Sequence, residues 1–395
     1  MKYKLDITEN CRLFANNYDV ESINQIRDIA LQNKDAKIRI MPDYHGGKGC
    51  VIGTTMLLQD KVNPSHTGVD IGCGVSVYQL DVKDINLEHL DNIILNNIPH
   101  GTNVNFKNKH TLDKCFEKEL KEMLSRLGIA EGRVFSSIGT LGGGNHYIEV
   151  GSNSDGILSL TVHSGSRNLG VQVAKYYQNL AYKSYENKVK FEKEDIIKNT
   201  LDRYKIQEKL VNFKTSHPNY HSEYLFGDDL TNYIRDVITT TKYAEINRLC
   251  IVKTILNNLG LSFDRNMFFQ SIHNYIDSNK VLRKGAISAK LGEKVVIPIN
   301  MRDGMIIGIG LGNEDWNQSA PHGAGRLYSR SKAKEEFTLD EFKETMSGVY
   351  TTCVNTNMLD ESPMAYKSLD DILECIHETV DVVEVIKPIY NFKSN

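Results

Sequence analysis

The stretches SSIGTLGGGNHYIEVG (Ser136–Gly151) and LSLTVHSGSRNLG (Leu158–Gly170) decide the predicted fold. The first is a glycine-rich loop that enters a strand, with a histidine at the junction. The second has a strand, a histidine and a loop in that order. Short apolar runs bounded by glycine-rich turns are typical of strands. Two such units in succession predict a sheet whose strand ends carry histidines.

Strand and loop signals of the same kind recur on both sides of this pair. They occur in AKIRIMPDYHGGKG (36–49), CVIGTTMLL (50–58) and HTGVDIGCGVSVYQLDV (66–82), and again from Ala286 to Gly312. Towards the C-terminus, VEVIKPIYNF (383–392) predicts one more strand. The chain is therefore rich in short strands joined by glycine turns.

Helical spacing of apolar residues appears between these strands. It predicts helices over 20–33, over 112–128 with Gly128 just past the end, and over 368–380. Residues 168–260 look mainly helical, charged and rich in tyrosine. The pattern predicts an α+β fold of mixed β-sheets flanked by helices, forming one domain over 1–395 with a helical insertion near 170–260.

Composition restricts the class of protein. The chain has 395 residues, 40% hydrophobic and 25% charged, which is ordinary for a soluble globular protein. A net charge of −3 does not indicate a nucleic-acid partner, so any nucleic-acid site must be a local basic patch. The 7 cysteines are dispersed, which fits a reducing compartment. No run of 18 apolar residues is present, so we expect a cytoplasmic protein without a membrane partner.

Five side chains at strand ends form a candidate metal set. Imidazole, thiolate and carboxylate are the usual ligands of Zn, Mn, Fe and Co, and a carboxylate suits harder ions such as Mn²⁺. A thiolate can also bridge two ions. Any one of these histidines could instead be structural, and the long gaps between them exclude a zinc finger. The set comprises Asp70, Cys73, His146, His163 and His273.

The stretch SAPHGAGRLYSR (Ser319–Arg330) isolates His322 beside Gly-Ala-Gly and two arginines. Small neighbours leave the imidazole accessible to a bulky electrophile. From these residues alone three interpretations stay open: a nucleophile, a metal ligand or a structural turn. Arg326 and Arg330 favour an anionic substrate, with phosphate the obvious candidate, although most arginines form ordinary surface ion pairs.

Other residues are candidate phosphate or RNA contacts. PDYHGGKGC (42–50) places Asp43 and Lys48 on one glycine-rich turn, and Arg167 follows His163 closely. The loop LGGGN could bring its amides to a phosphate, but no Gly-Lys-Ser/Thr follows and a P-loop is excluded. A plain surface turn is the alternative in each case.

These motifs together resemble the RtcB family of RNA ligases. The resemblance is carried by MPDYHGGKGCVIG, HTGVDIGCGV, LGGGNHYIE, VHSGSRNLG, HNYID, SAPHGAGRLYSR and DESPMAYKSLDDIL, in family order from about residue 40 to 395. It implies ligation of RNA ending in a 2′,3′-cyclic phosphate or 3′-phosphate to RNA with a 5′-hydroxyl. GTP and two Mn²⁺ ions would be required, and an activating helper protein is a candidate partner.

The resemblance also assigns roles to residues. Asp70, Cys73, His146, His163 and His273 would hold two ions, with Cys73 as the bridge, and His322 would attack the α-phosphorus of GTP. Arg167 and Arg326 would face RNA or triphosphate. From their glycine-rich turn alone, Asp43 and Lys48 are further candidate RNA or phosphate contacts in a phosphate- or metal-facing loop, with Asp43 orienting a ligand or water and Lys48 supplying a point charge. The nucleotide contacts implied are Asn145, His146, Tyr147, Ile148, Glu149, His273, Asn274, Pro298, Ile299, Asn300, Met301, His322, Gly323, Ala324, Gly325, Tyr366 and Lys393.

One turn departs from the family pattern. PINMRDG (Pro298–Gly304) stands where the longer members carry a glycine–serine–methionine turn, which leaves the nucleotide preference open. GIGLGNEDWNQSAPHGAGR resembles a shorter bacterial branch, which favours RNA repair over tRNA splicing. Two alternatives remain: a metal-dependent phosphoesterase or cyclic phosphodiesterase that acts on RNA ends without ligation, and a non-catalytic RNA-binding protein.

Overall fold

Two large β-sheets form the framework of the α+β fold predicted from the sequence. A computed structural model describes residues 4–200, 202–216 and 223–394. In the described residues the first large sheet has the order β1-β2-β3-β4-β12-β11 and the second β10-β6-β8-β7-β17-β15-β14, while β13-β16 and β5-β9 form small pairs. The strands are β1 (Lys4–Thr8), β2 (Cys11–Phe14), β3 (Lys37–His45), β4 (Ile52–Leu57), β5 (Lys61–Val62), β6 (Gly74–Gln79), β7 (Tyr147–Ser152), β8 (Leu158–Ser164), β9 (Leu225–Phe226), β10 (Phe268–Ile272), β11 (Asn274–Ile276), β12 (Val281–Lys284), β13 (Ala286–Ser288), β14 (Lys294–Asn300), β15 (Gly304–Gly310), β16 (Ser319–Pro321) and β17 (Val380–Lys393).

The sheets are almost wholly antiparallel, with β2 and β3 the parallel pair. The long strand β17 pairs with β15 along its first half and with β7 along its second. It thereby joins the C-terminal hairpin β14–β15 to the strands that carry the histidines. The predicted strands 36–49, 50–58 and 383–392 are confirmed within a few residues.

The helices cover the sheets and connect them. Asp19 caps α1, since its side chain accepts the backbone N–H of Ser22, and Gly128 ends α3 in the left-handed conformation at φ 68°. Both features agree with the predicted helix bounds. The helices are α1 (Val20–Gln32), α2 (Leu87–Asn97), α3 (Lys114–Leu127), α4 (Glu131–Ser136), α5 (Arg167–Lys198), α6 (Arg203–Ser216), α7 (Gly227–Asn258), α8 (Arg330–Glu336), α9 (Leu339–Thr345) and α10 (Leu369–Ile376).

In its described residues the segment expected as a helical insertion near 170–260 is mainly helical, apart from the short strand β9, and its two ends belong to the core. In α5, side chains are buried from Leu169 to Ala181, and beyond that point apolar residues such as Phe191 are exposed. Helix α7 contributes Tyr233 and Val237 to one core cluster and Ile251 and its neighbours to a second. Only the middle of the segment is an insertion in the sense of lying outside the core, because α7 packs against both sheets.

Among the described residues, no helix is both long enough and apolar enough to span a membrane.

Candidate active site

The five predicted metal ligands come together where the neighbouring strands β10, β6, β8 and β7 of the seven-stranded sheet begin or end. Cys73 immediately precedes β6, His146 immediately precedes β7, and His163 lies near the end of β8. The strand register pairs His163 with Val75 of β6 and with Tyr147 of β7. His273 follows β10 and donates its backbone N–H to the Cys73 carbonyl at 2.9 Å. Residues distant in the sequence therefore meet because their strands are neighbours.

Two overlapping groups of ligand atoms result, and Cys73 belongs to both. The groups are Cys73, His163 and His273, and Asp70, Cys73 and His146, with all ligand atoms of a group within 4.8 Å of one another. Cys73 Sγ lies 3.5 Å from His146 Nε2 and 3.3 Å from His163 Nε2. A thiolate shared by two groups can bridge two cations.

Backbone carbonyls orient two of the imidazoles. His146 Nδ1 lies 2.9 Å from the Leu141 carbonyl, and His163 Nδ1 lies 3.0 Å from the Asn145 carbonyl. With a proton on each Nδ1, the unshared electron pair is on Nε2, and this nitrogen faces Cys73. Metal-ligating histidines are commonly held in this way by a partner behind the ring.

The charge state of the set fits a cation. Burial lowers the pKa of His163 and of His273 well below 6.5, so both rings are neutral at pH 7. Burial, together with the Asp70 carboxylate, raises the pKa of the Cys73 thiol well above 9.0. A bound cation would stabilise the thiolate form of Cys73, so metal binding should release the thiol proton. The donor set thus suits a divalent transition metal.

Helix α7 fixes the loops that carry these ligands. The buried Arg248 donates to the carbonyls of Gly72 and Ser164 at 2.8 Å each. The neighbouring Asn247 accepts the backbone N–H of Gly139 and donates to the carbonyl of Gly165. The helix therefore holds the loops before β6, before β7 and after β8 in one arrangement, which a site assembled from separate loops requires.

His322 stands next to this cluster and is oriented by Asp43. Its Nδ1 lies 2.6 Å from Asp43 Oδ2, and its backbone N–H donates to the same oxygen at 3.1 Å. The His322 ring packs edge-on against that of His273 at a centroid distance of 4.8 Å. With Nδ1 bound to a carboxylate, Nε2 is the free nitrogen, as a nucleophile requires.

The glycines after His322 allow a close approach to Asp43. Gly325 has φ 75°, and a Cβ there would lie 2.4 Å from the Asp43 carbonyl oxygen. A side chain at Gly325 would therefore strain the backbone and push apart the segments that carry His322 and its carboxylate.

A pocket opens from His322 between β7, β17 and the β14–β15 hairpin. Most of the predicted nucleotide contacts line it, although they come from six separate parts of the chain. Those lining residues are Asn145, Tyr147, Glu149, His273, Pro298, Ile299, Asn300, Met301, His322, Gly323, Ala324, Gly325, Tyr366 and Lys393, with Arg326 also present.

Several predicted contacts lie elsewhere. Ile148 points to the opposite face of β7 and is buried in the core, because side chains alternate along a strand. Asn274 bonds the carbonyl of Asp70 and the N–H of Gly285. Arg167 packs behind His146, 3.4 Å from its Nδ1. Asp43 is wholly buried, and its Oδ2 faces His322.

Lys48 lies in a second cleft, next to the pocket. This cleft shares His45, Ile52, Arg326 and Arg330 with the pocket, so the two spaces are continuous. Of the four predicted RNA contacts, Lys48 and Arg326 therefore face one open groove.

The sequence analysis missed six lining residues. Lys393 and Asn391 are two positions apart on β17, so side-chain alternation from Lys393 could have identified Asn391. Arg330 was expected beside an anionic substrate but was not among the predicted nucleotide or RNA contacts. Glu361 had no local signal, yet it accepts from Lys393 Nζ at 2.6 Å and from Arg330 at 2.7 Å. The missed residues are His45, Ile52, Gly304, Arg330, Glu361 and Asn391.

Glu149 gives a prediction on pH. Burial raises its pKa from 4.5 to about 8, although the hydrogen bond from Asn391 opposes the shift. Between these two values the folded protein binds a proton that the unfolded chain releases. Stability should therefore fall as pH rises from about 5 to about 8, by at most about 1.4 kcal/mol per pH unit. Urea unfolding of wild type and Glu149→Gln at several pH values measures this slope.

The Glu149→Gln variant should lack that part of the slope, because glutamine does not titrate and still accepts from Asn391. Parallel pH profiles for the two proteins would contradict the assignment of a raised pKa to Glu149.

Comparisons with known proteins agree with this arrangement. A family model described as tRNA-splicing ligase RtcB matches residues 25–132 and 125–394. The chain is 28% identical over 389 residues to the RNA-splicing ligase RtcB of Escherichia coli K12, covering 89% of this chain and 88% of that protein. It is 26% identical over 462 residues to the tRNA-splicing ligase RtcB of Nanoarchaeum equitans, covering 93% and 91%.

Proposed function

This chain belongs to the RtcB family of RNA-splicing ligases, and we propose that it joins RNA 2′,3′-cyclic phosphate or 3′-phosphate ends to 5′-hydroxyl ends through a His322–GMP intermediate. GTP is the nucleotide substrate and Mn²⁺ the metal of this proposal. The observation that carries it is the Asp43–His322 pair beside the Cys73 cluster, since it presents a free imidazole nitrogen where two cations could sit.

In the proposed first step His322 Nε2 forms a bond to the α-phosphorus of GTP, and the bond to the β-phosphate oxygen breaks. Pyrophosphate leaves with the electron pair. The imidazole keeps its Nδ1 proton and becomes cationic, and the Asp43 carboxylate at 2.6 Å stabilises that charge. Asp43 thus holds the tautomer and the orientation of the nucleophile without itself taking the proton.

Asp70, Cys73 and His146 would hold one ion, and Cys73, His163 and His273 the other. Bound ions would neutralise the triphosphate and the pyrophosphate leaving group. Asn145 lies in the pocket beside His163, where its side chain could contact phosphate. Glu149 and Lys393 would supply a carboxyl group and an ammonium for the base, and Tyr366 an aromatic ring.

An oxygen of the RNA 3′-phosphate then attacks the phosphorus on His322, and Nε2 leaves with its electron pair. The RNA end is now joined to GMP through a pyrophosphate. Attack of the 5′-hydroxyl on the RNA phosphorus forms the phosphodiester and releases GMP, and a cyclic end must first be opened by water. Lys48 and Arg326, which line the adjoining cleft, would contact the RNA phosphates.

RNA joining with defined ends tests the proposal. Labelled RNAs with a cyclic phosphate or 3′-phosphate and a 5′-hydroxyl are incubated with GTP and Mn²⁺, Zn²⁺ or Mg²⁺. We expect a joined product with Mn²⁺ and GTP, and none from RNA with 3′-hydroxyl and 5′-phosphate ends. Hydrolysis of the cyclic end without joining would favour the phosphodiesterase alternative. We propose the cytoplasm as the location and RNA repair or tRNA splicing as the setting.

Asp43→Asn gives a second test. The amide can donate to Nδ1 and so favour the tautomer with the proton on Nε2, which is not nucleophilic. We expect the rate of His322–GMP formation to fall roughly 10²–10⁴-fold with unchanged metal content. Single-turnover labelling with GTP measures the rate, and metal analysis of the same sample provides the control. A wild-type rate in Asp43→Asn would remove the positioning role.

A further inference from the structure

Asn391 lies directly beside Glu149 at the base of the pocket. The strands β17 and β7 pair in a register that places Asn391 opposite Glu149. Asn391 Nδ2 donates to Glu149 Oε2 at 2.7 Å, and the asparagine is 1% exposed. The amide is therefore a fixed part of the pocket wall.

Strand alternation gives this wall its polar face. On β17, Asn391 and Lys393 line the pocket while Phe392 between them is buried in the core. On β7, Tyr147 and Glu149 line the pocket in the same way. The two strands present an amide, an ammonium and a carboxyl group side by side, and these groups can form hydrogen bonds with the edge of a nucleobase.

One atom of this set lacks a partner in the described part of the protein. Asn391 Oδ1 is buried and makes no hydrogen bond. A buried acceptor without a donor costs free energy, and native proteins rarely leave one so without a reason. An N–H donor delivered by a ligand in the pocket would satisfy it.

We propose that Asn391 is a specificity-determining residue for the nucleobase: it positions Glu149, and its Oδ1 accepts a hydrogen bond from the 2-amino group of guanine. This inference rests on the proposed function, because it assumes that GTP enters this pocket. The guanine edge offers a ring N–H, an exocyclic amine and a carbonyl, which match two neighbouring acceptors and the Lys393 ammonium. Adenine places an unprotonated ring nitrogen at the position of that N–H, where it would face the acceptors without a proton.

Inosine triphosphate isolates the contact, because it differs from GTP only in lacking the 2-amino group. A site built to bond a substrate N–H discriminates against the analogue without it. We expect wild type to prefer GTP over ITP by about tenfold or more in the second-order rate of adduct formation. Asn391→Val should reduce this ratio to near one, chiefly by weakening the reaction with GTP.

Two further variants keep the test informative. Asn391→Thr suits a strand and keeps an oxygen that can accept, so it should retain part of the preference. Thr161→Val is the matched control, since Thr161 is buried and pairs with Glu149 on the other side but does not line the pocket. It should keep the wild-type ratio.

Equilibrium competition between GTP and ITP in the presence of Mn²⁺ gives a second measure of the same ratio. If wild type binds both nucleotides but forms no adduct, the proposed function fails, while the competition still tests Asn391. If Asn391→Val keeps the wild-type ratio in the competition or in the adduct rates, the role of Asn391 is overturned and the ligase proposal stands.

Discussion

Replacing His322 with alanine is expected to abolish the covalent nucleotide adduct and to lower RNA joining by at least about a thousandfold. The imidazole is the group that Asp43 orients, 2.6 Å away, and it lines the pocket next to His273. The other histidines of the cluster direct a nitrogen towards Cys73, so they are engaged once metal is bound. Alanine would therefore remove the proposed nucleophile and leave the two candidate ligand groups in place.

The adduct is measured with labelled GTP and identified by its stability, since a phosphoramidate is labile to acid and stable to base. His377→Ala is the control, because His377 is exposed and its Nδ1 lies 3.1 Å from the Glu374 carbonyl, outside the pocket. His322→Ala should keep wild-type metal content and unfolding behaviour. An adduct in His322→Ala of normal yield would show that another residue is the nucleophile.

Replacing Cys73 with alanine is expected to lower the affinity for both metal ions at least about a hundredfold and to eliminate RNA joining. Cys73 is shared by both ligand groups, so each group loses one of its three donors. The remaining ligands of one group are neutral imidazoles, which hold a cation less strongly than a thiolate does. Titration with Mn²⁺ by calorimetry gives the affinity and the number of ions bound.

His146→Ala tests the loss of a ligand that belongs to one group only, for comparison with Cys73, which belongs to both. His146 belongs to the group with Asp70 and Cys73 alone, so this variant should bind one ion normally and the other weakly. Cys11→Ala controls for loss of a buried sulfur, since Cys11 is 1% exposed and packs in the core away from the cluster. Two ions bound with wild-type affinity in Cys73→Ala would remove the bridging role.

Local patterns were sufficient to predict the elements that carry the site. The spacing over 20–33 and 112–128 predicted α1 and α3. The run that follows His146 and the run that leads to His163 predicted β7 and β8. The prediction was less good for 168–260, where the pattern indicated helix but not burial. Packing of α7 against both sheets depends on which surfaces meet, and a helical period alone does not contain that information.

The residue types of the metal set and the isolated setting of His322 were determined by the sequence itself, because ligand chemistry and glycine spacing are local properties. Only the tertiary structure decided which groups act together. Asp43 and His322 are 279 positions apart, and Asn391 and Glu149 are 242 apart. Their contacts follow from strand pairing between distant segments, and a side chain's partner across a sheet is fixed by register rather than by its neighbours in the chain.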